Sequence, residues 1–128
     1  MNETFLAFII THGNLGECIK NVSNNLVPSP KTLIFYSNQK DTLSKIIEEI
    51  EKTIDVQKPD HIFFFVDLMG GSCWTIGNRL KKHYENAYVI TGVNIPMIIS
   101  YQMNIEKLNT DELVKKIVED GKRGIVQI

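Results

Sequence analysis

The sequence has little cysteine, no excess of charge of either sign and no long apolar run. Its two cysteines, Cys18 and Cys73, are too few for a disulfide scaffold and favour a reducing compartment. Lys and Arg total 14 against 15 for Asp and Glu, so no broad basic surface is available for nucleic acid or an anionic membrane. The start, Met1 to Thr4, lacks the basic residues of a signal peptide, and Phe5 to Ile10 is too short to span a bilayer. We therefore expect a cytoplasmic protein with no direct membrane insertion.

Length and composition favour one domain, 1–128. The 128 residues are 43% hydrophobic, enough to build one packed core at a size common for single domains. Strand-like runs alternate with stretches of helical period, which is the order of a parallel sheet covered by helices on both faces. We expect a doubly wound α/β fold with a mainly parallel sheet of strand order 2-1-3-4.

The strands are predicted from short apolar runs bounded by turn residues. The third run, Ile-Phe-Phe-Phe-Val, is apolar almost without interruption, which predicts burial on both faces and a central place in the sheet. A short fifth strand at the C-terminus would be an edge strand that a second subunit could accept, which favours a homodimer. The predicted strands are Phe5 to Ile10, Thr32 to Tyr36, His61 to Val66, Ala87 to Thr91 and Arg123 to Ile128.

Five helices are predicted from apolar stripes and from residues that favour helix ends. The first carries the stripe Leu15, Cys18, Ile19, Val22 and Leu26 and stops before Pro28 and Pro30; the second, capped by Asp41, carries Leu43, Ile46, Ile47, Ile50 and Ile54. Ser72 is predicted to cap the third helix, through Tyr84, and Pro96 to begin a fourth that reaches about Met103. Thr110 opens the last, which ends before Gly121.

A reactive polar residue follows each of two strands, His12 after the first and Asp67 after the third. Because ligands bind beyond the carboxyl ends of parallel strands, the imidazole and the carboxylate can meet in one crevice. If Asp67 accepts a hydrogen bond from Nδ1 of His12, Nε2 is left free to attack a phosphoryl group. Gly70, Gly71 and Ser72 at a helix start offer N–H groups and a hydroxyl to phosphate oxygens. The pattern predicts a phosphohistidine site that needs no metal and no cofactor.

Two other site classes use some of the same residues. Cys73 and Arg79 stand six apart, the spacing of a cysteine-dependent phosphatase, although the bulky residues between them suit a phosphate loop poorly. Asp67 ends the third strand, where receiver-like signalling domains hold their phosphorylated aspartate. Receivers also need acidic Mg²⁺ ligands after the first strand, and Thr11 and His12 occupy that place.

Three segments together resemble one family, the enzyme IIA components of the mannose, fructose and sorbose type of sugar phosphotransferase system. They are Ile10-Thr11-His12-Gly13, Val66-Asp67-Leu68-Met69-Gly70-Gly71-Ser72 and Gly92-Val93-Asn94-Ile95-Pro96-Met97. The resemblance implies a cytoplasmic homodimer, with a swapped C-terminal strand, that accepts phosphate from the phosphocarrier protein HPr and passes it to enzyme IIB, with membrane components IIC and IID downstream. It also implies that His12 is phosphorylated on Nε2 with Asp67 as its partner.

The sequence departs from this family at Cys73, where proline usually follows the Gly-Gly-Ser turn. Without the proline ring the loop can move more. The backbone N–H of Cys73, which proline lacks, is one more donor to phosphate. An alternative function within the same fold is a regulatory domain that senses phosphorylation and does not pass the group onward. The resemblance implies that the membrane partners select the sugar, so this sequence does not identify which sugar is transported.

Overall fold

The computed structural model describes residues 3–28 and 33–128, with a four-stranded parallel sheet in the order β2-β1-β3-β4. The strands are β1 (Phe5–Thr11), β2 (Leu33–Ser37), β3 (His61–Val66) and β4 (Ala87–Thr91). Strand order and the central place of β3 between β1 and β4 confirm the prediction. Thr32, the predicted start of the second strand, and Pro30, a predicted helix stop, lie outside the described residues.

Helices cover both faces of the sheet, as expected of a doubly wound fold. They are α1 (Leu15–Leu26), α2 (Leu43–Gln57), α3 (Ser72–His83), α4 (Ile95–Asn104) and α5 (Thr110–Arg123). Alternate residues of β3 point to opposite faces, so Phe63 and Phe65 pack under α1, α4 and α5 while Phe64 and Val66 pack under α2 and α3. Of the helices in the described segments, none is long and apolar enough to cross a membrane.

The predicted caps of α2 and α3 are each displaced by one residue. Thr42, not Asp41, caps α2, because its backbone is extended and its hydroxyl accepts from the Lys45 N–H at 3.2 Å. Gly71 is the N-cap of α3, and Ser72 is already helical. Its hydroxyl instead accepts from Asn38 Nδ2 at 3.2 Å, which ties the start of α3 to the end of β2.

Helix α1 is confirmed, but most of its predicted apolar stripe is not buried. Ile19 is buried, but Leu15, Val22 and Leu26 are 45%, 40% and 61% exposed and Cys18 is also exposed. Gly16 faces the sheet instead, where an added Cβ would lie 3.2 Å from both Ile9 Cγ2 and Thr11 Oγ1. The helix approaches the sheet through small residues, and this close approach turns the longer apolar side chains outward.

The fifth strand predicted from Arg123 to Ile128 is not formed in the single chain. Helix α5 passes through Gly121 and ends at Arg123, and residues 125–128 are exposed and have no strand conformation. Asp120 forms ion pairs with Lys116 and Arg123, and these pairs stabilise the last turns of the helix. Gly121 is buried against Met97, so its place inside the helix serves packing and does not end it.

Candidate functional site

The strand register brings His12 and Asp67 together at the carboxyl edge of the sheet. Ile10 is paired with Val66, so the residues that follow β1 and β3 leave the sheet side by side. Nδ1 of His12 lies 2.6 Å from Oδ2 of Asp67, and the same oxygen accepts from the His12 backbone N–H at 2.8 Å. The side chain of His12 is 48% exposed and that of Asp67 is 9% exposed. The two groups therefore meet, with the imidazole open to solvent and the carboxylate shielded.

The environment of Asp67 fixes the tautomer of His12. Burial alone would raise the pKa of Asp67, but hydrogen bonds from the His12 side chain, the His12 N–H and the Leu68 N–H hold its pKa below the ordinary value. An ionised carboxylate can only accept a hydrogen bond, so Nδ1 of His12 carries the proton and donates it. In the neutral ring, Nε2 is then the nitrogen that has the free lone pair.

The glycine turn between β3 and α3 lies beside the imidazole. A Cβ on Gly71 would stand 3.8 Å from His12 Cε1, so this position faces the ring. Gly70 has a φ of +84° and is exposed, with nothing within 4 Å of its missing Cβ. Glycine at 70 is required by the backbone, whereas glycine at 71 leaves room next to the imidazole.

Replacing Gly70 by alanine is expected to destabilise the fold by about 1 kcal/mol, because an L side chain is strained at positive φ. Asparagine tolerates this conformation better, so Gly70→Asn is the matched control and should cost less. Since nothing surrounds the position, the difference between the two variants reports backbone strain alone. Urea unfolding of the three proteins measures it, and equal losses for alanine and asparagine would contradict the expectation.

Asn38 belongs to the site region and was missed by the sequence reasoning. Its backbone N–H donates to Thr11 O at 3.2 Å and its Nδ2 donates to Ser72 Oγ, while its buried Oδ1 has no partner. Its only signal in the sequence is that it follows β2, whose carboxyl end lies at the same edge of the sheet. Asn38 positions the Ser72 hydroxyl at the start of α3.

Cys73 lies next to the histidine but lacks the features of a phosphatase nucleophile. Its Sγ is 3.9 Å from Nδ1 of His12, and the residue is fully buried. Burial, followed by repulsion from Asp67, raises the pKa of Cys73 to about 11, so the thiol is protonated at neutral pH. Arg79 lies with Ile47 and Glu51 in a separate groove. These observations oppose the cysteine-dependent phosphatase.

A receiver-like site is also opposed by the end of β1. Thr11 is fully buried, and its hydroxyl accepts from the Gly16 N–H at 2.7 Å. The next residue is His12, whose imidazole is hydrogen-bonded to the same Asp67 that a receiver would phosphorylate. This arrangement directs the carboxylate toward the imidazole rather than toward a Mg²⁺ ion held by acidic ligands.

The other two histidines, His61 and His83, lie away from the crevice. Nε2 of His61 is 2.6 Å from Glu3 Oε2, at the amino end of β3. His83 is exposed at the end of α3, where its ring packs edge-on against Tyr84. Asn94, in the third segment of the resemblance, caps α4 by accepting from the Met97 N–H at 2.9 Å, so that segment serves chain direction.

Comparison with known solved structures supports the fold. The phosphotransferase system component EIIA from Streptococcus agalactiae superposes with a TM-score of 0.85 at 19% identity, over 96% of each chain. The mannose/sorbose specific IIA subunit of the phosphotransferase system from Enterococcus faecalis superposes with a TM-score of 0.80 at 18% identity, over 98% of this chain and 95% of the other. At these identities the likeness concerns the fold.

Sequence comparison identifies the family. The family described as "PTS system fructose IIA component" matches residues 7–118. The PTS system mannose-specific EIIAB component of Escherichia coli K12 is 41% identical over 68 residues, which are 50% of this chain and 20% of that relative. The matched stretch is thus about a fifth of the relative's length. Because the family match covers most of the chain and includes both His12 and Asp67, the chain belongs to the IIA family of mannose- and fructose-type sugar phosphotransferase systems.

Proposed function

We propose that this chain is the phosphoryl carrier of a sugar phosphotransferase system, with His12 as the group that is phosphorylated. The observation that carries the proposal is the 2.6 Å contact from Nδ1 of His12 to the ionised Asp67, which in the neutral ring leaves the lone pair on Nε2 of a half-exposed imidazole. A neutral imidazole with a free lone pair is a competent nucleophile near pH 7. The family membership supports a role in phosphoryl transfer.

The transfer exchanges one nitrogen–phosphorus bond for another. The lone pair of His12 Nε2 attacks the phosphorus atom of phospho-HPr, and the bond from phosphorus to the donor imidazole breaks with its electron pair staying on the donor. His12 keeps its Nδ1 proton and gains positive character. Asp67, 9% exposed and held by two backbone N–H groups, stabilises that charge without having to reorganise. When the enzyme IIB acceptor attacks the same phosphorus, the bond from phosphorus to His12 Nε2 breaks and its electron pair returns to Nε2.

The phosphoryl oxygens would be held by the turn that opens α3. Gly70, Gly71 and Ser72 lie at the start of α3, where backbone N–H groups and the positive end of the helix dipole favour an anion, and Gly71 faces the imidazole. The Ser72 hydroxyl accepts from Asn38 and can donate its own proton to a phosphoryl oxygen. No metal or cofactor is part of the proposed transfer.

We also propose that residues 1–128 form a single domain and that two copies of it form a homodimer. Within the described residues β4 pairs with β3 alone, so its other edge is open. An apolar groove along β4 and α5, lined among others by Val89, Val114 and Val118, lies beside this edge. The C-terminal residues Ile125, Val126 and Ile128 are exposed. A second copy that contributed its C-terminal segment as a strand would cover both features.

Phosphorylation by purified enzyme I, HPr and labelled phosphoenolpyruvate tests the proposal. We expect label on the chain that is stable in alkali and lost in mild acid, as is typical of phosphohistidine. An acyl phosphate would be lost in both. On addition of the cognate enzyme IIB the label should leave this chain and appear on IIB.

The fate of the label separates a carrier from a regulator. Label that remains on the chain in the presence of IIB would favour the regulatory domain with the same fold. Hydrolysis of an aryl phosphate that requires Cys73 would instead support the phosphatase. Cys18→Ser is the matched control for the cysteine, because Cys18 is exposed on α1, away from the residues described at the site.

A further inference from the structure

Three side chains at the crevice offer metal-ligating atoms within reach of one another. One atom each from His12, Asp67 and Cys73 lie within 4.8 Å of each other, the one group of this kind among the described residues. Nδ1 of His12 is 2.6 Å from Asp67 Oδ2 and 3.9 Å from Cys73 Sγ. Phosphoryl transfer as described above makes no use of the sulfur. The Cys73 side chain packs in the core beneath α3, and its sulfur is available for a second role beside His12.

We propose that His12 Nδ1, an Asp67 carboxylate oxygen and the Cys73 thiolate form a binding site for a divalent cation of the zinc class, and that the bound ion blocks phosphorylation of His12. The binding half of this proposal is independent of the carrier function. The blocking half rests on it.

The geometry suits a small cation with short bonds. Zn²⁺ binds sulfur at about 2.3 Å, and imidazole nitrogen and carboxylate oxygen at about 2.0–2.2 Å, so a tetrahedral set holds ligand atoms about 3.2–3.8 Å apart. The separation of sulfur and nitrogen, 3.9 Å, is close to this. The 2.6 Å separation of nitrogen and oxygen must widen, which occurs when the proton between them leaves. These three residues leave a fourth position of the tetrahedron for a water molecule.

The ligand types select the class of cation. Thiolate, imidazole and carboxylate together favour zinc and similar borderline or soft ions, whereas Mg²⁺ and Ca²⁺ prefer oxygen ligands alone. The carboxylate is held in place by the backbone N–H groups of His12 and Leu68, each at 2.8 Å, as outer contacts commonly orient metal ligands. The sulfur ligand comes from Cys73 alone, so the site depends on this one side chain.

Binding the cation and accepting phosphate exclude one another through the imidazole tautomer. The ion takes the lone pair of Nδ1, and the proton that Nδ1 carried moves to Nε2, while the thiol proton passes to solvent. A protonated Nε2 has no lone pair with which to attack phosphorus. The same ion occupies Asp67, which would otherwise stabilise the charge of the phosphorylated ring.

Cadmium binding tests the site directly, because a cadmium–thiolate bond gives an ultraviolet charge-transfer band. The background is Cys18→Ser, which removes the exposed cysteine on α1. We expect the band to saturate at one Cd²⁺ per chain, and to be lost in Cys18→Ser/Cys73→Ser. Cys18→Ser/His12→Gln should weaken affinity by about tenfold or more. Cys73 is buried, so its replacement by serine could unfold the protein, whereas His12 is half exposed and its replacement should not. If the serine variant unfolds, the affinity of the His12→Gln variant for Cd²⁺ tests the site.

Zinc added to the phosphorylation reaction tests the block. With preformed phospho-HPr as donor, saturating Zn²⁺ should slow labelling of the Cys18→Ser protein by about tenfold or more, in proportion to the occupied fraction. The rate of the Cys73→Ser double variant should stay at its own zinc-free value. Absence of the cadmium band in Cys18→Ser, or equal inhibition of both proteins by Zn²⁺, would overturn the proposal. Absence of labelling without zinc counts against the carrier function instead and leaves the cadmium result to decide the site.

Discussion

Replacing His12 by glutamine abolishes labelling of the chain by phospho-HPr; this is the largest effect we expect. The glutamine amide nitrogen is conjugated with its carbonyl and has no free lone pair, so no nitrogen–phosphorus bond can form. The fold should survive, because the His12 side chain is 48% exposed and its loss removes one hydrogen bond to Asp67, worth about 1–2 kcal/mol. Autoradiography of the purified variant after incubation with phosphoenolpyruvate, enzyme I and HPr measures the label.

His83→Gln is the matched control for the histidine substitution. His83 is exposed at the end of α3 and lies outside the crevice, so this variant should be labelled as the wild type is. His61→Gln tests the remaining histidine, whose partners Glu3 and Thr110 lie at the amino end of the sheet. If label persists in His12→Gln, or disappears in His83→Gln alone, the phosphorylated residue is not His12.

The sheet was predictable because its signals are local. The continuous apolar run of β3 is stable only if both of its faces are buried, which places the strand inside the sheet. The alternation of strands with helices is compatible with only a few parallel topologies. The meeting of His12 and Asp67 followed from the same logic, since both residues come directly after neighbouring strands. The sequence reasoning placed the imidazole and the carboxylate in one crevice, and they lie 2.6 Å apart.

What the sequence could not predict depends on contacts between elements. The apolar residues of α1 do recur with helical period. The side of the helix that faces the sheet is set instead by the close approach of Gly16 to Ile9. The C-terminal segment has strand-like composition, yet a strand requires a partner, and within one chain α5 continues to Arg123 instead. The contact of Asn38 with Ser72 and the approach of Cys73 to His12 join residues 34 and 61 positions apart. No local pattern reports such pairs.

Replacing Asp67 by asparagine should slow phosphorylation of His12 by about 10²- to 10⁴-fold while leaving the binding of HPr nearly unchanged. Two effects act in the same direction. The charge that stabilises the phosphorylated ring is lost, and the asparagine amide can donate to Nδ1, which favours the tautomer with its proton on Nε2. Single-turnover labelling at saturating phospho-HPr measures the rate, and titration with unphosphorylated HPr measures binding.

Asp60→Asn is the matched control, because Asp60 also has a pKa lowered by hydrogen bonds but lies at the amino end of β3. Its carboxylate accepts from the Thr4 N–H at 2.7 Å, so the variant loses a hydrogen-bonded charge far from the imidazole. Its labelling rate should equal that of the wild type. If Asp67→Asn were labelled as fast as Asp60→Asn, or lost only affinity for HPr, the carboxylate would orient a docking surface rather than the nucleophile. A slow rate with normal binding instead assigns Asp67 to the tautomer and charge of His12, which is what the 2.6 Å contact implies.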